Sequence, residues 1–182
     1  MPYLRALIDK SHERGVPVIY TTGVRRDDNW DAGSWSWKNA RGSEAPKVTN
    51  NVDGNEIVAE IAPSPQDIVI LKQKPSGFFG TNMTSYLTLL GCDSIIVTGT
   101  TTSGCVRATV LDAFSLNYRI ALAEEGCFDR SQASHAINLC DMNAKYADVV
   151  KTSDVLAFMD TLDASLYNAP KGVGVPALKV VA

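Results

Sequence analysis

Apolar residues along the chain recur in two alternating patterns, one with helical spacing and one of short unbroken runs. Residues 3–14 put Leu4, Leu7 and Ile8 on one helical face, and Gly15 and Pro17 close the segment. A β-branched run from Val16 to Tyr20 follows, with the length and flanks of a buried strand. The unit then returns. Asp67–Lys72 reads as a strand and 82–91 as a helix ending at Gly91. Ser94–Gly99 reads as a strand, followed by a helix from about 104 to 117 with Val106, Val110, Ala113 and Phe114 on one face. Arg119–Ala123 and Ala147–Val150 complete the strands, with a helix over 131–145 between them. Ser153 is expected to cap a last helix that turns Val155, Leu156, Met159 and Leu162 inward. Glu56 to Ile61 reads as a short helix closed by Pro63 and Pro65.

Repeated strand–helix units with short apolar strands predict an α/β fold, a parallel sheet covered by helices on both faces. The first element is a helix, whereas βα folds usually open with a strand. Two regions break the pattern. Residues 23–53, rich in Trp, Gly, Asn, Asp and Arg, read as a long surface excursion, the kind of loop that is usually functional. Its Trp30, Trp35 and Trp37 either wall a substrate pocket or pack an oligomer contact. Residues 1–163 form one domain in this reading, and 164–182 form a tail that either packs on a neighbouring subunit or stays unstructured.

Bulk properties narrow the partners. The 182 residues are 45% hydrophobic and 20% charged, an ordinary globular balance. A net charge of -3 with scattered basic residues gives no footprint for nucleic acid or an anionic membrane. There is no apolar run long enough to span a bilayer and no secretory leader, so a cytoplasmic protein is expected. The cysteines Cys92, Cys105, Cys127 and Cys140 make no CxxC pair and no zinc spacing, so neither a metal nor another cofactor is expected.

In an open parallel sheet, ligands bind beyond the carboxyl ends of the strands. Two such ends carry reactive residues. Lys72 follows an apolar strand and either reaches solvent or is held in a cleft. Cys105 lies in the turn Gly99–Cys105 and is expected in the first turn of the following helix, where unpaired N–H groups favour a thiolate and can hold an oxyanion. The alternative is an inert buried thiol. Cys92 falls in a turn, Cys127 in a loop after a strand and Cys140 within a helix. His12 and His135 do not sit at predicted strand ends, so a Cys–His pair is weakly supported and a carboxylate is the better base.

The stretches ILKQKPSGFFGTNM (70–83), IIVTGTTTSGCVRATVLDAF (95–114) and EEGCFDRSQASHAINLCDMNAKYADVV (124–150) resemble the isochorismatase-like cysteine hydrolases. The likeness runs from residue 3 to 163 and is greatest to the branch of N-carbamoylsarcosine amidase, biuret hydrolase and maleamate amidohydrolase. It implies a three-layer αβα sandwich with strand order 3-2-1-4-5-6 and a Cys–Lys–Asp triad. By position, Cys105 is then the nucleophile, Lys72 its lysine, and the N–H groups of Thr101 and Cys105 the oxyanion hole, after a cis peptide between Thr100 and Thr101. Arg130 matches the arginine that receives a substrate carboxylate, against the alternative of a surface ion pair. The implied activity is hydrolysis of a small amide or carbamoyl substrate through a thioester, in a homodimer or homotetramer. The family's Asp ends a first strand that has no counterpart here, and Asp9 lies mid-helix. Late start, truncation or supply of that strand by another chain are the three explanations. A binding or assembly subunit with impaired catalysis is the alternative function.

Overall fold

Two parallel ladders form the centre of the molecule. The computed structural model describes residues 1–28, 30–41 and 54–163. In it, β1 (Ile19–Gly23) pairs with β2 (Ile68–Lys72), and β3 (Ser94–Thr100), β4 (Arg119–Phe128) and β5 (Asp148–Val150) pair in that order. The helices are α1 (Pro2–Arg14), α2 (Ser34–Arg41), α3 (Met83–Leu89), α4 (Arg107–Ser115), α5 (Gln132–Lys145) and α6 (Thr152–Asp160). Taking the first strand out of the expected order leaves a pair and a triplet, which is the division observed.

Alternation along the strands assigns the layers. Ile120 and Leu122 of β4 join Met83, Val106, Val110, Leu139 and Met142 on the face of α3, α4 and α5. Ala123, one residue on, packs with Leu7, Val155 and Met159 on the opposite face, under α1 and α6. Helices therefore cover both faces, the arrangement that parallel strands require. Among the described residues no helix is long and apolar enough to cross a membrane.

Local chemistry explains the ends and several departures from expectation. Gly15 adopts a left-handed φ of 67° and closes α1 as its C-cap. The first strand starts at Ile19 rather than Val16, after the Pro17 ring. Residues 34–41, expected as irregular loop, form α2, started by N–H bonds from Ser36 and Trp37 to the Gly33 carbonyl. The segment at Glu56–Ile61 yields only a short 3-10 turn over Ala59–Ile61. Ser153 does not cap α6. The Glu125 carboxylate takes both the N–H and the hydroxyl of Thr152, at 2.7 Å each, and these bonds hold its acid group below the usual range. Phe114, expected on the inner face of α4, is 47% exposed while Val110 and Ala113 are buried.

The fourth strand is longer than its predicted Arg119–Ala123. Val97 lies opposite Leu122, yet Gly99 lies opposite Cys127, so five steps along β4 match two along β3. Cys127 is thus a buried strand residue rather than a loop residue. The tail 164–182 lies outside the described residues, as do Asn29 and 42–53 of the Trp-bearing excursion.

Candidate functional site

The carboxyl ends of β2 and β3 bring the two predicted reactive residues together. Ile70 and Lys72 share the inward face of β2, so the strand that buries an isoleucine also buries the lysine, which is 6% exposed. Its ammonium donates to the Lys74 carbonyl at 3.1 Å and lies 3.4 Å from the Cys105 sulfur. The segment after Lys72 is tied to the nucleophile's helix as well. Thr109 accepts the Gly77 N–H at 2.9 Å and donates its own hydroxyl to the Cys105 carbonyl at 2.7 Å.

Cys105 sits in a five-residue π-turn, Thr102–Val106, ahead of α4 rather than inside its first turn. The reason is Gly104, whose backbone (φ −117°, ψ −105°) is not helical. Gly99 turns the chain out of β3 at a φ of 105°, a conformation that favours glycine, and the Thr100–Thr101 peptide is cis. The Thr101 carbonyl accepts N–H bonds from Gly104 (2.9 Å) and Val106 (3.2 Å). The Ser103 N–H goes to Asp129 Oδ2 at 2.7 Å. None of these bonds uses the N–H of Cys105.

Two side chains from outside the turn fix it. Asp129, whose side chain is 1% exposed, accepts the Ser103 N–H and the Arg130 N–H. Burial works to raise its carboxyl group, but the hydrogen bonds from Ser103 and Arg130 outweigh this and hold it below the usual range. His135 Nδ1 lies 2.9 Å from the hydroxyl of the buried Thr102. Sequence reasoning passed over both. Asp129 stood beside a more conspicuous arginine, and His135 reaches the site from α5, which the spacing along one helix does not reveal.

A cavity of about 550 Å³ occupies the division between the two ladders. Ile19 and Thr21 of β1 form one wall and Ile96 and Thr98 of β3 the other, with Thr100 and Cys105 at its end. Leu7 of α1 and Leu87 of α3 line it as well, so its walls are mainly apolar. Cys105 therefore borders an open space.

The remaining predicted residues lie as follows. Thr101 supplies the turn's accepting carbonyl. Arg130 follows the end of β4 with its side chain 82% exposed and 4.0 Å from Asp129. Gln73 and Lys74 bond the side chain and carbonyl of Asp31 at 2.8 and 3.1 Å, which moors the start of the Trp-bearing segment beside Lys72. Arg25 stacks over Trp35 and Arg26 over Trp30. His12 is engaged elsewhere, bonded at 2.7 Å to the buried Asp67 carboxylate. Burial pushes the Cys127 thiol up to about 12, and Cys92 is raised by burial too. Asp9 is on α1, paired with Arg5.

Known proteins resemble this chain in sequence and fold. N-carbamoylsarcosine amidase of Arthrobacter sp is 36% identical over 187 aligned positions, covering 100% of this chain and 69% of the relative. Maleamate amidohydrolase of Pseudomonas putida is 35% identical, covering 82% of this chain and 70% of the relative. The crystal structure of N-carbamoylsarcosine amidase from Thermoplasma acidophilum superposes with a TM-score of 0.67 at 29% identity, covering 83% of this chain and 81% of that one. The isochorismatase domain model matches residues 1–154. On that match and on the identity to these relatives, the chain belongs to the isochorismatase domain family.

Proposed function

We propose that this chain is a cysteine-dependent amidohydrolase that cleaves the C–N bond of a small amide or carbamoyl substrate. One observation carries the reading: the Cys105 sulfur lies 3.4 Å from a buried ammonium at the end of an open cavity. Kinship with amidases and amidohydrolases supports hydrolysis of a C–N bond. The thiolate is the form that attacks carbonyl carbon, and the ammonium stands where it can pair with that charge. As the S–C bond forms, the carbonyl electrons move onto oxygen, and the N–H groups of Thr101 and Cys105 receive that charge. The tetrahedral intermediate collapses by breaking the C–N bond, and the amine leaves with a proton. Water then attacks the thioester, releasing the acid and the thiolate.

Among the described residues no carboxylate bonds to Cys105 or Lys72, so the group that moves the proton is to be sought beyond them. This observation favours a second reading, a binding or assembly subunit of impaired catalysis. The two separate cleanly. Cys105→Ala should lower turnover of an amide or carbamoyl substrate by about a thousandfold or more with the fold intact. Undiminished turnover in that variant would refute the nucleophile. Wild-type chain that turns over nothing would select the second reading.

N-carbamoylsarcosine and maleamate are the substrates we put first, because both carry a carboxylate and Arg130 stands at the carboxyl end of β4. Arg130→Ala should raise KM for the acidic substrate about tenfold, as expected for losing one charge-assisted bond, and leave uncharged amides unaffected. An equal effect on both would remove Arg130 from substrate binding. Assembly as a homodimer or homotetramer belongs to the same proposal, measured by light scattering.

A further inference from the structure

The first residue of the nucleophile's turn is also its most enclosed. Thr102 is 0% exposed, and its carbonyl accepts the Arg107 N–H that opens α4. Its hydroxyl has one partner among the described residues, His135 Nδ1 at 2.9 Å, which reaches in from the amino end of α5. A buried hydroxyl carries one proton, and that proton needs an acceptor. If the imidazole donated at Nδ1, the threonine proton would face a dry interior with nothing to receive it. Nδ1 is therefore the acceptor. That role fixes a neutral ring with its proton on Nε2.

The bond lies where it can act on the sulfur. His135 holds Thr102 through its side chain, and Asp129 holds the next residue, Ser103, through its N–H. Both holds come from the segment that leaves β4 and enters α5. Cys105 follows at once, past the non-helical Gly104. An imidazolium changes this arrangement, because a ring protonated at both nitrogens has only donors and two donors then meet at Thr102. The charged groups around the ring are engaged elsewhere. Asp129 takes the Ser103 and Arg130 N–H groups, and Lys72 lies on Cys105. Arg107 of α4 bonds Asn138 and Asp141, and Lys145 pairs with Asp141. Asp148 of β5 stands by the far end of α5, where the Val149 N–H bonds Asn143.

We propose that His135 is a positioning residue for Cys105, which holds the nucleophile's turn through Thr102 as a neutral imidazole and loosens it on protonation. This role rests on the reading of Cys105 as nucleophile and adds a regulator of the same sulfur. The turn is braced at neutral pH and slack in acid, whatever fraction of the thiol is ionised. A slack turn misplaces the attacking atom, so kcat falls while KM moves little.

Long-range nitrogen NMR of the full 182-residue chain reads the ring directly, and at neutral pH His135 should carry its proton on Nε2. Amide hydrogen exchange, corrected for intrinsic rates and compared with β3, reads the turn at Gly104 and Val106, which bond the Thr101 carbonyl. Their protection should fall about tenfold from about pH 8 to about pH 5, the effect of one lost hydrogen bond. His135→Asn supplies an acceptor that does not titrate, so its protection should stay level over that range with His12 still in place. His135→Leu should be about tenfold less protected at either pH, with kcat lower by a similar factor and KM unchanged. If the leucine variant fails to fold, the tautomer and the asparagine variant decide. Wild-type chain that shows these shifts without turnover would count against the amidohydrolase reading and not against the His135–Thr102 brace. A proton on Nδ1, wild-type protection in His135→Leu, or an acid loss that persists in His135→Asn would each overturn the proposal.

Discussion

Cys105 and Cys127 lie within the same few strand ends and differ in almost every physical respect. Cys127 is inside β4, buried, and its thiol approaches backbone of β3, the Val97 carbonyl at 3.9 Å. Cys105 is partly exposed, stands at a bend between strand and helix, and has an ammonium 3.4 Å away. A regular strand surrounds its cysteine with apolar neighbours and paired peptide groups, which suit the neutral thiol. A tight turn leaves the sulfur at a cavity edge and lets a residue from another strand reach it. In the proposed reading, reactivity follows from interrupted secondary structure more than from the residue type.

The largest expected contrast is chemical. At neutral pH, iodoacetamide should modify Cys105 faster than Cys127 by about a thousandfold or more, since alkylation tracks exposed thiolate. Peptide mapping of the alkylated chain checks this, and comparable labelling would erase the distinction. The next concerns how the turn is held. Asp129→Asn keeps the size of the side chain but weakens the bond to the Ser103 N–H, so turnover should fall about tenfold to a hundredfold from misplacement of the sulfur. KM should move little, and the melting temperature should not account for the loss. A variant with unchanged kcat would make Asp129 a purely structural residue.

The smallest effect is on stability and belongs to Cys127. Its folded thiol is pushed from 9.0 up to about 12, so the unfolded chain loses this proton first as pH rises. The stabilisation is present in full below about 9 and is lost as pH climbs through that window toward 12. Denaturant unfolding of Cys127→Ala should therefore fall off less steeply between these values than that of the wild-type chain. Parallel curves would mean that burial does not hold the thiol neutral.

Elements built on a repeating pattern were legible in the sequence. Leu4, Leu7 and Ile8 marked α1, and the apolar runs at Ile68–Leu71 and Ser94–Val97 marked strands, because burial of one face imposes a period. The Lys72–Cys105 pairing was legible from strand ends and from the family likeness. What escaped was non-periodic or long-range. The α2 helix hides in SWSWKNAR, where the two tryptophans stand two apart and no apolar stripe at helical spacing runs through the segment. The capping of α6 by Glu125 rather than by Ser153 depends on a residue 27 positions away from Thr152. Asp129 and His135 act on the turn through contacts that only the folded chain creates.

The slipped ladder between β3 and β4 has one more effect. Five residue steps on β4 against two on β3 differ by an odd number, which reverses the facing of every side chain beyond the slip. Asp129, the first residue after β4, then meets the Ser103 N–H as an acceptor. Deleting a single residue from Glu124–Gly126 would bring Arg130 to the same spot, and a guanidinium has only donors to offer an amide hydrogen. The length of an unremarkable stretch of strand, counted as even or odd, thereby decides whether the neighbouring turn is braced or pushed apart.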